Sequence, residues 1–381
     1  MEYFDPLSII IISLGAFILP LLANKIKIPG LVLEIAYGLI IGPVLGLVTS
    51  SEFISGMATL GFFLLMFLSG FEIELEIFEE KGLKQLIPPL AIFLGTILLS
   101  LFIVNFLGYD LFLALVLSTT SVGIVVPILR TDEKIKTVYG QLIFLTALIA
   151  DFLTLLIATI YASVVRTESL GLKNLNVVLY FIVILMILRI LRRTAWWYPE
   201  QFKRLFDEND PEELGIRSSL ALMLSMVGLS VLFDVEPILG AFLAGTVFAL
   251  VFPNRGSLET SLKGFSYGFL IPIFFINVGL NYDIEILTNS TFYKEVFFLL
   301  VLAISVKVIP AFLMAFFNIS LRDIIAGGFL LSARFSLIIA MAEIGVELGL
   351  LNQKVESEII FLAALTATFA PIGYRFFSIK R

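Results

Sequence analysis

The chain contains neither cysteine nor histidine, and only 15% of its 381 residues are charged. Without cysteine, disulfides, thiol chemistry and thiolate metal sites are excluded. Without histidine, any proton carried near neutral pH must be bound by a carboxylate or a lysine whose pKa is shifted from its ordinary value. Soluble domains are about 25% charged. The low charge, the 59% of hydrophobic residues and a mean hydropathy of +1.05 therefore predict a polytopic membrane protein.

Thirteen apolar segments predict an all-α fold with 13 transmembrane helices, because about 20 apolar residues cross a hydrocarbon layer of about 30 Å. The segments lie at roughly 7–23, 29–48, 53–71, 86–107, 110–130, 138–163, 175–193, 215–233, 236–252, 263–281, 293–317, 322–350 and 356–377. Most connections between them are short, and the longest polar stretch is Arg192–Glu213.

The basic residues predict the orientation of these helices. Of the 25 lysines and arginines, nineteen fall in loops on one side, four on the other side, and Lys307 and Arg334 inside membrane segments. Because basic residues accumulate in cytoplasmic loops, we expect a multi-pass protein of the plasma membrane. Its N-terminus lies outside and its C-terminus in the cytoplasm.

The two halves of the chain resemble each other. Pro29 opens the second segment and Pro237 the ninth, and the stretch around Ser118 aligns with the stretch around Ser332. Six helices, a linker and six more helices predict two inverted repeats, an arrangement of secondary transporters whose sites lie where paired helices are broken. The expected parts are a first repeat at 1–163, a linker helix and cytoplasmic loop at 164–214, and a second repeat at 215–381.

Asp151 lies in the middle of the otherwise uncharged run Val138–Val164. A carboxylate at that depth costs on the order of 3 kcal/mol by insertion scales and more by simulation. Such a residue is by default an ion or proton site. We therefore predict that Asp151 binds a proton or a monovalent cation.

A run of hydroxyls, Ser118, Thr119, Thr120 and Ser121, interrupts the fifth segment, and Gly123 follows it. A broken helix there would offer hydroxyls and unwound carbonyls to a cation, provided that it lines protein or a watery cavity. Alternatively, the hydroxyls bond only their own helix, as is common in membrane helices. We favour the broken helix, with Thr119, Thr120 and Ser121 at the ion site and Ser118 as an accessory residue.

Three further charged residues are candidates. Arg334 is either a fixed charge facing broken-helix ends or part of a structural ion pair, for example with Glu343. Lys307 is either a permanent partner of Asp151 or a lysine that releases the carboxylate when a cation arrives. Glu72 begins an acidic stretch, so we favour a solvated loop or a cation-attracting mouth, and the alternative is that Glu72 is an accessory residue of the transport site.

Together these features resemble the monovalent cation:proton antiporter family of NapA, GerN and the Kef membrane domain. The resemblance covers nearly the whole chain and rests on Pro29-Gly30, Gly42-Pro43, Gly61–Glu72, Leu117–Ser121, Ala150-Asp151, Gly240–Gly245, Pro272–Phe275, Lys307 and Leu331–Arg334. It implies an NhaA/NapA-like fold with crossed broken helices, a homodimer, and elevator-like alternating access. It also implies that cation and proton compete for Asp151, and that Lys307 is the core lysine.

Two departures from the family pattern affect the charge balance. Ala150 stands where the family usually has Asp, Asn or Gln, and Phe335-Ser336 stands where it often has Gly-Glu. With one titratable acid, we expect electroneutral exchange of one proton for one cation.

The expected function is therefore exchange of protons for Na+, with a Kef-like K+/H+ antiporter or K+ efflux transporter as the alternative. A channel is disfavoured, because the sequence indicates no ring of carboxylates. A carrier of other solutes is a less favoured alternative, since inverted repeats occur in many transporters. The expected partners are the cation, the proton, the lipid bilayer and a second copy of the chain. We expect neither enzymatic activity, nor a cofactor, nor nucleic acid.

Overall fold

The computed structural model describes residues 5–26, 30–71, 86–167, 175–200, 212–252, 256–282 and 290–378. Its regular structure is helical throughout these ranges. The α-helices are α1 (Pro6–Ile26), α2 (Gly30–Leu39), α3 (Glu52–Phe71), α4 (Ile87–Phe106), α5 (Phe112–Ser118), α6 (Val122–Thr131), α7 (Val138–Thr167), α8 (Leu175–Trp197), α9 (Leu214–Leu232), α10 (Pro237–Val251), α11 (Gly256–Phe265), α12 (Ile271–Leu280), α13 (Ser290–Ala311), α14 (Leu321–Leu331), α15 (Ser336–Glu347) and α16 (Gln353–Phe377). Two π-helical turns, Ile40–Val44 and Ser266–Leu270, and a 3-10 helix, Phe312–Phe317, extend these helices.

Most of these helices are suited to a bilayer. Within the described ranges, nine spans are long and apolar enough to cross a membrane, and two shorter apolar helices accompany them. Each of the thirteen predicted segments contains a helix, so the prediction of an all-helical polytopic membrane protein is confirmed. On α4, Phe102 and Phe106 are 70% and 81% exposed. Lipid accommodates such side chains, and helices satisfy their own backbone polar groups there.

The chain divides into two compact units. Unit 1 comprises Met1–Glu76 and Thr167–Ile284, and unit 2 comprises Ile77–Arg166 and Glu285–Arg381. Each unit therefore draws on both halves of the chain, and neither coincides with one predicted repeat. Unit 1 contains α1 to α3 and α8 to α12, and unit 2 contains α4 to α7 and α13 to α16.

In unit 1, two helix pairs pack backbone against backbone at glycines. A Cβ added to Gly245 of α10 would overlap the carbonyl oxygen of Phe67 on α3, and one added to Gly70 of α3 would overlap that of Phe242 on α10. Small residues permit this close approach of membrane helices. The α3–α10 contact is thus reciprocal.

A second pair repeats this arrangement. Gly38 of α2 faces the carbonyl oxygen of Ile276 on α12, and Gly279 of α12 faces that of Ile35 on α2. If the two halves are related as the prolines predict, α2 corresponds to α10 and α3 to α12. Under that correspondence, the α2–α12 contact in one half is equivalent to the α10–α3 contact in the other. The two similar glycine contacts therefore support the predicted repeat.

Unit 2 contains two interrupted helices. The first break separates α5 from α6 at residues 119–121, where Thr119 and Ser121 have extended backbones with ψ of 155° and 109°. The second break separates α14 from α15 at residues 332–335. Serine and threonine favour such interruptions because their hydroxyls can form the hydrogen bonds that backbone groups would otherwise make within the helix. The first break therefore falls at the predicted hydroxyl run, and the second falls at the stretch around Ser332 that aligns with it.

Candidate functional site

The two breaks in unit 2 are joined directly to each other. The backbone N–H of Ser121 donates to the carbonyl oxygen of Ala333 at 2.9 Å. The hydroxyl of Thr120 donates to the carbonyl oxygen of Leu331 at 3.1 Å. Since a buried backbone group without a partner is costly, each break satisfies polar groups that the other break leaves free.

Asp151 lies beside this junction. It is 7% exposed, and its Oδ2 accepts a hydrogen bond from the backbone N–H of Val122 at 3.3 Å. Val122 is the first residue of α6. A helix N-terminus carries about half a positive charge, so the start of α6 stabilises negative charge on the carboxylate.

The ammonium of Lys307 lies at the C-terminus of a helix, whereas the carboxylate of Asp151 lies at the N-terminus of one. It is 2% exposed, and its Nζ donates to the carbonyl oxygen of Ser118 at 2.6 Å and to Oγ1 of Thr120 at 2.8 Å. Ser118 is the last residue of α5, and a helix C-terminus is partly negative. Two neutral oxygens thus hold the ammonium, and no described carboxylate lies within ion-pair distance of it.

Arg334 lies in the second break and is fully buried. Its Nη2 donates to the carbonyl oxygen of Ala303 at 2.8 Å, and its own carbonyl accepts from the hydroxyl of Thr366 at 3.3 Å. No ion pair joins Arg334 to Glu343 or to another described carboxylate. Its Nε and Nη1 have no hydrogen-bond partner among the described residues.

The four predicted hydroxyls play different parts. Those of Ser118 and Thr119 donate to carbonyls of their own helix, Ala114 O at 2.7 Å and Val116 O at 2.8 Å. Thr120 instead contacts both Lys307 and the second break. Ser121 contributes its backbone N–H to the junction. The structure thus brings Thr120, Ser121, Lys307, Arg334 and Asp151 into unit 2, with Ser118 and Thr119 at the end of α5, while Glu72 lies outside the described residues.

Sequence reasoning did not single out Thr366 or Ala303. Thr366 is a buried hydroxyl in the mostly apolar middle of α16, two residues before Thr368. A buried threonine in a membrane helix is a weak signal, since threonine often bonds its own helix. Ala303 contributes only its carbonyl, which no side-chain pattern can indicate.

The geometry predicts that Thr120 stabilises the junction. Thr120→Val keeps the shape of the side chain but removes one hydrogen bond to a charged group and one to a carbonyl. We expect the free energy of unfolding to fall by about 2 kcal/mol, measured by thermal unfolding of the purified protein. Thr119→Val is the matched control, because that hydroxyl bonds only its own helix. Equal losses in the two variants would contradict the assigned role.

The site combines a buried carboxylate, a positive helix end and nearby oxygen atoms. A carboxylate in this position can hold either a proton or a small cation, because both cancel its charge where desolvation is costly. The Lys307 ammonium is hydrogen-bonded to the end of α5. Such chemistry suits reversible binding rather than bond-making.

Comparisons with known proteins agree with this description. The family model described as "Sodium/hydrogen exchanger, transmembrane" matches residues 12–380. YjbQ of Bacillus subtilis (strain 168) is 33% identical over 98% of this chain, and the chain spans 63% of the length of YjbQ. The Na+/H+-K+ antiporter GerN of Bacillus cereus is 26% identical over 97% of this chain and 95% of GerN.

A solved structure shares the fold. The sodium proton antiporter MjNhaP1 from Methanocaldococcus jannaschii superposes with a TM-score of 0.66 at 13% identity, over 95% of this chain and 94% of that one. At that identity the likeness concerns the fold alone. The family match spans nearly every described helix. The chain therefore belongs to the transmembrane sodium/hydrogen exchanger family, a family of transporters and not of enzymes.

Proposed function

We propose that this protein exchanges protons for a monovalent cation across the membrane, with Na+ as the foremost cation and Asp151 as the shared binding site. The observation that carries this proposal is the position of Asp151, a buried carboxylate at the N-terminus of α6 beside two joined helix breaks. Membership of the sodium/hydrogen exchanger family supports the same reaction.

The coupling follows from the cost of burying charge. A bare carboxylate should not move across a low-dielectric barrier, because its desolvation is uncompensated. A bound proton or a bound cation removes that cost. If the site changes sides only when Asp151 is loaded, then a cation moving one way requires a proton moving the other way.

The proposed transport mechanism is elevator-type alternating access. Unit 2 carries Asp151 and both breaks, and it is the mobile core in this scheme. Unit 1 would be the scaffold and would carry the homodimer contact. All thirteen predicted segments cross the bilayer in this arrangement, with the N-terminus outside and the C-terminus in the cytoplasm of a cell whose plasma membrane holds the protein.

We further propose that the exchange is electroneutral. The position before Asp151 is Ala150, so the pair of adjacent acids that could take two protons is absent from this site. Lys307 is hydrogen-bonded to two neutral oxygens rather than to a carboxylate. One acid then exchanges one proton for one cation, and no net charge crosses.

Proteoliposomes containing the purified chain test both statements. An imposed Na+ gradient should drive proton movement, read with an internal pH dye, and a membrane-potential dye should stay silent. Equal proton movement with choline in place of Na+ would contradict the exchange. A potential that follows Na+-driven proton movement would contradict electroneutrality and leave the exchange itself standing.

Potassium is the second candidate cation. The supporting observation is the similarity to GerN over 97% of the chain, since that relative is named a Na+/H+-K+ antiporter. The same vesicles, loaded in turn with Na+, Li+ and K+ at equal ionic strength, distinguish the two. A larger proton flux with K+ than with Na+ would favour the K+/H+ antiporter.

A further inference from the structure

Unit 1 contains a buried carboxyl group that is not part of the Asp151 site. Glu34 of α2 is 3% exposed, and its Oε2 has no hydrogen-bond partner among the described residues. No ion pair joins it to a described basic residue. It lies one turn beyond Gly30, the first residue of α2, and the positive end of a helix acts mainly within the first turn. A negative charge on Glu34 would therefore be poorly compensated, which is costly in the interior.

The face of α2 that carries Glu34 packs against α12. Gly38 is four residues after Glu34 and so lies on the same face, and a Cβ added to Gly38 would overlap the carbonyl oxygen of Ile276. Gly42, in the π-helical turn that extends α2, contacts the last residue of α12. The two helices therefore run parallel, and Glu34 lies level with the buried apolar run Ile271–Phe275 at the start of α12.

The helix α1 also packs against α2, and it is apolar at this level. The hydroxyl of Tyr37 donates to the carbonyl oxygen of Ile11 at 2.9 Å. A Cβ added to the first residue of α2 would lie 4.0 Å from the Cβ of Ala23. The two helices are therefore antiparallel, and Glu34 lies between these contacts. The part of α1 between them, Ala16–Leu22, contains no polar side chain.

The described helices around Glu34 carry few titratable groups. Helix α12 has none. Helix α1 has Lys25, which lies in the last turn and is exposed, and α2 itself has Tyr37, whose hydroxyl is bonded to α1. A bound metal cation would need several oxygen ligands, which these apolar side chains do not supply. A proton needs only the carboxyl oxygen.

We propose that Glu34 is a second proton-binding site of this chain, whose carboxyl group is protonated while α2 is packed between α1 and α12. Losing that proton would place a charge among apolar side chains, so the packing of α2 would weaken as the pH rises. Glu34 belongs to unit 1 and Asp151 to unit 2, so this proton would be additional to the one that Asp151 exchanges. The inference does not rest on the proposed exchange activity, and its tests read stability and protonation.

The pH dependence of thermal unfolding is the first test. A glutamate in the unfolded chain releases its proton near a pH of about 4.3. The folded state would still hold the proton above that pH, so the free energy of unfolding should fall as the pH rises. Between about pH 5 and about pH 8, the Tm of the wild type should therefore drop by about 3 °C more than the Tm of Glu34→Gln. An equal drop in the two proteins would overturn the proposal.

A second neutral variant and a matched control complete this test. Glu34→Gln and Glu34→Met are uncharged and close in size to the acid, so at least one of them should be as stable as the wild type at about pH 8. Lower stability of both at that pH would mean that the native carboxylate is charged and paired, which also overturns the proposal. Glu52→Gln removes an exposed carboxylate in the first turn of α3, in the same unit. It should not diminish the fall in Tm.

Infrared spectroscopy of the purified full chain detects the proton itself. At about pH 6.5, where exposed glutamates are ionised, the difference spectrum between wild type and Glu34→Gln should contain the C=O band of a protonated carboxyl group. Carboxylate bands in its place would overturn the proposal. Glu34→Met is the reference if Glu34→Gln does not fold.

Discussion

Asp151→Asn should lower cation-driven proton movement on the order of 1000-fold. Two unit charges about 4 Å apart interact by about 4 kcal/mol at an effective dielectric of 20, and each 1.4 kcal/mol is a factor of ten in affinity. The amide keeps the size of the side chain and can still face the N–H of Val122, but it takes up neither the proton nor the charge of the cation. Flux in proteoliposomes, followed with a pH dye, measures the loss.

A matched control variant distinguishes loss of the Asp151 site from the loss of any one carboxylate in unit 2. Asp110 belongs to the same unit and accepts a hydrogen bond from the N–H of Phe112 at the start of α5, at 2.7 Å. Asn can make the same bond, so Asp110→Asn should exchange at nearly the wild-type rate. Rapid exchange in folded Asp151→Asn protein would mean that another group carries the ions.

Gly245→Ala should be among the most destabilising single changes in unit 1. Its Cβ would overlap the carbonyl oxygen of Phe67, which is backbone and cannot rotate away. The helices α3 and α10 must then separate, and overpacking of this kind costs about 3 kcal/mol. The loss should appear as a lower Tm and a lower yield of folded protein.

Gly264→Ala is the control for this change. Gly264 also lies in a helix of unit 1, α11, and a Cβ there meets no atom within 4 Å. Alanine lowers the entropy cost of a helix position by about 0.5–1 kcal/mol relative to glycine, so this variant should be as stable as the wild type or more stable. Equal destabilisation of both variants would refute the close α3–α10 contact.

Much of the helical fold could be predicted, because the lengths of the hydrophobic segments indicate where membrane helices lie. The thirteen apolar segments each contain a helix, and the run from Ser118 to Ser121 marks the first break. Asp151 can be proposed as a site residue from the sequence alone, since nothing else in Val138–Val164 is charged. The prediction needed only the cost of a carboxylate in hydrocarbon.

The detailed contacts could not be predicted, because they depend on which atoms meet across helices. The apolar faces of these helices extend almost all round, so periodicity does not say which side chains point inward. Charge alone favours an ion pair between Lys307 and Asp151. In the structure, the Lys307 ammonium instead donates hydrogen bonds to the carbonyl oxygen of Ser118 and the hydroxyl of Thr120. The acceptors of Arg334 and Ser121 are backbone carbonyls, whose positions no residue type reveals.

The hydrogen bonds between the breaks have a mechanical consequence. Ser121 to Ala333 and Thr120 to Leu331 tie four half-helices, α5, α6, α14 and α15, into one block. Sliding one half-helix past the others would break both bonds where no solvent replaces them, so moving the whole block is cheaper. A spin-label distance from α6 to α15 should therefore stay constant through a transport cycle. The chain has no native cysteine, so two introduced cysteines would be its only thiol labelling sites.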